Sequence, residues 1–237
     1  MLATLEIAGN ITAPYIPDLP EGSPRLTVSV TGLAGGTEQL LATCSAQASG
    51  SPMPFRLHLD RASMTGMVDI TLDARCTAGT GKDAVLARMT QSLTTADAAR
   101  GIPLQLSLEP VGIAASTGEK HPIQPVVMEL SGYVSVPPEL CQETAYLDAT
   151  LLVVQDDGRS NRYASNLAEH SLYLKGNGAP FSLFVDTATV PDGLPAKLHL
   201  GLYDKERRKI FAGNVVRDLD LSNPPDLSAI VLRKPRR

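Results

Sequence analysis

The chain has no tryptophan, and phenylalanine and tyrosine bring the aromatic content to only 4%. Its cores must therefore be built from Leu, Val, Ile and Ala, and the flat platforms on which sugars and bases stack are scarce. Cysteine is scarce too: three thiols cannot all pair within one chain, and no CxxC spacing points to zinc. No apolar run nears the roughly 18 residues that a membrane helix needs. The longest obvious one is Leu151-Leu152-Val153-Val154. Nor is there an excess of positive charge. The net charge is −4, whereas a nucleic-acid partner normally leaves a basic footprint. The one basic run, Arg233-Lys234-Pro235-Arg236-Arg237, reads as a solubilised terminus, with contact to anionic lipid headgroups as the alternative.

Catalytic signatures are missing as well. There is no Gly-x-Ser-x-Gly elbow, phosphate loop or dinucleotide fingerprint. The histidines at 58, 121, 170 and 199 form neither HxH nor HExxH, and His58 and His199 fall at the polar parity of their strands. The expectation is a protein without catalytic residues, cofactor or metal. The N-terminus lacks the pattern of a secretory leader, because Glu6 interrupts its apolar stretch and no Lys or Arg precedes Arg25. Either the protein is cytoplasmic, or a leader has been removed from an exported precursor.

What the chain does have is a strand written twice. Pro54-Phe55-Arg56-Leu57-His58-Leu59-Asp60 and Pro180-Phe181-Ser182-Leu183-Phe184-Val185-Asp186 both read Pro-Phe-x-Leu-x-(apolar)-Asp, 126 residues apart, each after a Gly-containing turn. Around it, period-two alternation marks strands at 5–11, 26–30, 40–46, 68–76, 85–91 and 104–108. The same order recurs at 128–136, 147–153, 163–169, 198–202, 210–213 and 227–232. Leu5-Glu6-Ile7-Ala8-Gly9 is answered by Met128-Glu129-Leu130-Ser131-Gly132, and Val28 and Val30 by Leu151 and Val153. Only residues 94–100 offer a turn of helix. With 18 prolines and 19 glycines punctuating the strands, the expected fold is all-β. It comprises two tandem antiparallel β-sandwich domains of about seven strands, at 1–110 and 127–237, joined by a linker at 111–126.

Within this plan Pro54 and Pro180 open their strands at the position proline tolerates, and Phe55 and Phe181 plug the cores. Asp60 and Asp186 invite a reading as paired catalytic carboxylates. One per domain, they do not span a substrate, and a strand-end Asp that accepts backbone N–H groups in the next turn fits better. Cys44 and Cys76 share parity with apolar neighbours on strands that could face each other. In an oxidising compartment a disulfide there would stabilise by about 3–4 kcal/mol. The alternative is two small buried thiols. Leu167 stands near the Cys44 position in the second half, and Cys141 lies in a proline loop as an unpaired thiol.

These motifs in this order make each half similar to the YbaY/YscW-type lipoprotein domain, the group that includes pilotin-like lipoproteins of type III secretion. The features are Gly9 and Ile11 before Leu19-Pro20, then Leu26 to Val30, Pro54 to Asp60 and Leu104 to Leu108. In the second half they are Gly132-Tyr133-Val134 before Pro137-Pro138, then Leu147 to Val153, Pro180 to Asp186 and Leu227 to Leu232. The resemblance implies a non-enzymatic bacterial envelope protein. It would sit in the periplasm at the outer membrane, bind an envelope or secretion-system protein, and reach the membrane only through a removed lipid anchor. Two departures stand out: no lipobox cysteine lies near the start, and the unit is present twice. A glycan- or small-ligand-binding module is the competing expectation.

Overall fold

Alternation of apolar and polar residues dictates nearly everything local in this structure. A computed structural model describes residues 4–14, 24–78, 85–94, 103–111, 124–140, 145–156, 162–208 and 210–234. The first repeat supplies β1 (Thr4–Thr12), β2 (Arg25–Ala34), β3 (Thr37–Gln47), β4 (Met53–Asp60), β5 (Val68–Thr77), β6 (Val85–Ser92), β7 (Leu104–Ser107) and the short β8 (Glu109–Pro110). The second supplies β9 (Val127–Ser135), β10 (Ala145–Asp156), β11 (Arg162–Leu174), β12 (Gly178–Asp186), β13 (Ala196–Tyr203), β14 (Ile210–Leu219) and β15 (Ile230–Val231). The fold is all-β, and the strands lie where period two places them. Among the described residues the only helical pieces are single 3-10 turns, and no helix is long and apolar enough to cross a membrane. All but Thr94 of the candidate helical turn at 94–100, Cys141 and most of the expected linker lie outside the described residues.

The two β-sandwich repeats share a sheet. One nine-stranded sheet runs through both repeats in the order β14-β13-β10-β11-β3-β2-β5-β6-β8. Its centre is the antiparallel pair β3–β11, with Ala42 opposite Leu172, Cys44 opposite His170 and Ala46 opposite Ala168. Two three-stranded sheets, β4-β1-β7 and β12-β9-β15, cover it. A single apolar cluster joins both halves, from Leu5 and Val28 to Leu198 and Leu232. The physical reason is the edge problem. A half closed on its own would leave β3 or β11 as a bare edge with half its backbone groups unpaired, and pairing the two edges removes both. The repeats are thus related by a pseudo-two-fold axis, like the subunits of an isologous dimer.

Register refines the internal alignment. Each repeat carries one bulge at the same place, between Val30 and Thr31 in the β2–β3 ladder and between Leu151 and Leu152 in the β10–β11 ladder. Val30 therefore corresponds to Leu151, not Val28. The residues bulged out are Leu41 and Leu167, each 1% exposed, and His170 rather than Leu167 occupies the position of Cys44.

Two equivalent glycines set how the last strand of each repeat docks. Gly9 lies opposite Leu104 in the parallel β1–β7 pair, and a Cβ there would stand 2.0 Å from the Leu104 carbonyl oxygen. Gly132 admits the segment before β15 in the same way, with the Leu227 carbonyl oxygen at 2.4 Å. Only a residue without a side chain lets two backbones approach this closely.

Candidate functional site at the junction of the repeats

The duplicated strands β4 and β12 form the inner edges of the two covering sheets and pack beside each other without a shared ladder among the described residues. Phe55 and Phe181 are 2% and 1% exposed, each opposite a glycine, Gly9 and Gly132. Pro54 and Pro180 lie half-buried early in their strands. So placed, the signature residues are part of the core.

The two aspartates do more than close their own turns. Asp60 Oδ1 accepts from the Ala62 N–H at 3.1 Å, and Asp186 Oδ1 from the Ala188 N–H at 3.1 Å. Each carboxylate also reaches the other repeat. Asp60 Oδ2 accepts the backbone N–H of Lys175 at 2.7 Å, and Asp186 Oδ2 accepts the N–H of Ser49 at 2.7 Å and its hydroxyl at 2.6 Å. Ser63, beside Asp60, donates to the Tyr173 carbonyl at 2.7 Å. Reciprocal clamps thus tie each signature strand to the turn that precedes the other. Charge-assisted hydrogen bonds from buried carboxylates to backbone N–H groups are among the stronger ones a fold can make.

Between the clamps lies a polar group in an apolar setting. His58 on β4 is 6% exposed, and His170 on β11 is 1% exposed. Their rings meet edge to face, with centroids 5.4 Å apart. His58 Nε2 lies 3.3 Å from Ser182 Oγ on β12, whereas neither ring nitrogen of His170 has a partner among the described residues. Burial lowers the His58 pKa to about 4, helped by the Arg56 guanidinium, and lowers that of His170 to about 3, helped by His58. His58 stands at the polar parity of β4, yet it is buried because the neighbouring repeat covers that face. His170 shares parity with the buried Ala168 and Leu172, and that alternation was the available signal. His199 is exposed on β13, with its pKa lowered by partial desolvation, Lys197 and Arg217.

Arg56 links the two covering sheets. It ion-pairs with Glu129 on β9 and with Glu6 at 3.3 Å, and its guanidinium lies 5.9 Å from the Phe184 ring centroid. The adjacent void, bounded by Leu26, Cys44, Phe55, Ser182 and Phe184, measures about 20 Å³, room for a water-sized molecule and no organic ligand.

Cys44 and Cys76 are free and buried. The disulfide expectation is corrected by topology: β2 lies between β3 and β5, with Val28 opposite Cys44 and Leu26 opposite Cys76. Two ladder spacings of about 4.8 Å put the strands roughly 10 Å apart, beyond the ~7 Å Cα limit of a disulfide. Burial pushes the Cys44 thiol up to about 12 and the Cys76 thiol up to about 11. Among the described residues no three His, Cys, Asp or Glu side chains converge to hold a metal ion.

A larger concavity lies elsewhere. A groove of about 390 Å³ opens at the loop end of the second repeat, between the turn after β12 (Thr187, Val190, Asp192) and the segment after β14 (Asp220, Leu221, Ser222).

No protein-family model matches the chain, and no curated protein matches it. Among solved structures, a candidate adhesin from Bacteroides ovatus aligns over 97% of this chain and 93% of its own, with 12% identity and a TM-score of 0.28.

Proposed function

We propose that the chain is a non-enzymatic bacterial envelope protein of the YbaY/YscW type, a pilotin-like assembly factor that binds another envelope protein. The binding element is the free edge of β14, and this edge is the observation that carries the reading. Gly213 exchanges two backbone hydrogen bonds with Arg233, which ends the cover on that side. Val215, two residues on, lies opposite His199 of β13 and turns its backbone groups to the outer side, where no ladder partner is found among the described residues. Ile210 and Val215 are both 42% exposed, and Val231 nearby is 56% exposed. An extended partner segment that adds as a tenth strand gains main-chain hydrogen bonds and covers these side chains. The test is capture from a bacterial envelope extract, comparing the native chain with Val215→Pro. At an outward-facing edge position proline removes the donor without unfolding the sheet. Enrichment of one membrane-associated protein by the native chain and its loss with the variant supports the reading. Equal recovery by both, or none with folded protein, refutes it.

A second reading rests on the 390 Å³ groove, whose size suits a small ligand and whose walls mix Val190 and Leu221 with Asp192, Asp220 and Ser222. On that reading the chain is a glycan- or small-ligand-binding module. A glycan array together with a thermal-shift metabolite screen decides it, and an empty result in both retires it.

A further inference from the structure

The sister repeat shows that the fold does not need histidine at the junction: Phe184 occupies the position of His58, and Cys44 that of His170. The two imidazoles have been placed against each other asymmetrically, on the pseudo-two-fold axis and in the seam between β4 and β12. We propose that this buried His58–His170 pair makes the seam acid-labile, so that acidification parts β4 from β12 and frees their inner strand edges.

The charged groups around the pair leave an added proton uncompensated. On β4 itself Arg56 is already positive, and its attraction is engaged by Glu6 of β1 and Glu129 of β9. Asp60 at the end of β4 and Asp186 at the end of β12 are committed to the Lys175 and Ser49 backbones. Glu169, the neighbour of His170 on β11, accepts from the Asn166 side chain. Across β3 the facing group is the Cys44 thiol, held neutral by burial. Among the described residues no carboxylate hydrogen-bonds either imidazole. A first proton therefore enters a desolvated site beside a like charge, and a second would repel the first.

The sign follows directly. Both histidines have pKa values lowered in the closed state, to about 4 and about 3 from an open-state 6.5. The closed seam is thus fully favoured above about pH 6.5 and weakens as pH falls toward the closed-state values. With both groups titrating, the opening equilibrium shifts about a hundredfold by roughly pH 5.5 and between a thousandfold and ten-thousandfold by about pH 4.5. Opening exposes β4 and β12, the strands whose inner edges have no ladder partner among the described residues in the closed form.

The experiment is amide hydrogen exchange on the full chain at neutral pH and at about pH 4.5, corrected for intrinsic rates. It compares the native sequence with the double variant His58→Phe, His170→Leu. In the native chain, acid selectively accelerates exchange in β4 and β12 relative to β2, β5, β10 and β13, and in the double variant that acceleration falls below threefold. If the double variant does not fold, His58→Gln, which still reaches Ser182 but does not titrate in this range, loses the larger part of the acceleration. Equal acceleration in native and variant chains, uniform acceleration across all strands, or imidazole NMR signals titrating above pH 6 in the folded chain overturns the proposal.

Discussion

Asp60 and Lys175 meet across the boundary between the repeats, the carboxylate of the first accepting the backbone N–H of the second at 2.7 Å. Asp186 and Ser49 form the mirror contact, also at 2.7 Å. The signature aspartate is therefore a fastening between halves as much as a turn former. Asp60 is 5% exposed and Asp186 fully buried, so removing either empties a buried site and breaks its part-buried hydrogen bonds to both repeats. Asp60→Ala and Asp186→Ala are each expected to cost about 2–4 kcal/mol. Urea unfolding monitored by far-UV circular dichroism measures this. A loss below about 0.5 kcal/mol for both, the range of an ordinary surface change, would show that the clamps carry no weight.

The glycines of β1 and β9 give a second prediction. A methyl group at Gly9 or Gly132 meets backbone at 2.0 or 2.4 Å, so β7 or the segment leading to β15 must move away. Gly9→Ala should raise protease sensitivity around residues 104–111, and Gly132→Ala around 227–233, each sparing the other repeat's terminal strand. Limited proteolysis with mass mapping reads this directly. Unchanged cleavage in both variants would mean that the backbones can separate at no cost.

Cysteine chemistry provides a third. With Cys44 and Cys76 buried and their thiols pushed up to about 12 and about 11, neither should react with a maleimide in the native state at neutral pH. In denaturant without reductant both should label, because no bond joins them. Peptide mapping distinguishes the outcomes. Cys44 and Cys76 peptides joined by a disulfide in oxidised protein would contradict the position of β2 between their strands.

The paired phenylalanines give a fourth. Phe55 and Phe181 have equivalent surroundings and similar burial, 2% and 1%. Phe55→Ala and Phe181→Ala should each destabilise by about 3–5 kcal/mol through lost burial and the cavity left behind. Because one core spans both halves, either substitution should lower a single unfolding transition rather than split it in two. Calorimetry showing one half melting apart from the other would contradict a core that acts as one unit.

The sequence by itself determined the strands, the duplication and the turn chemistry. Period two fixes which residues face a core, as in Leu26, Val28 and Val30, and Pro, Gly and Asp mark where strands start and stop. Alternation specifies a face, however, and says nothing about which strand lies next to it. An apolar stripe on β3 could close against its own repeat or meet β11, and only the competition between bare edges across the whole molecule settles that choice. Everything that depends on the neighbour was decided there. The Leu41 and Leu167 bulges shifted the true internal alignment, β2 came between Cys44 and Cys76, and the second repeat covered His58. The carboxylates of Asp60 and Asp186 found their strongest partners 115 and 137 residues away, at distances along the chain that no local pattern encodes.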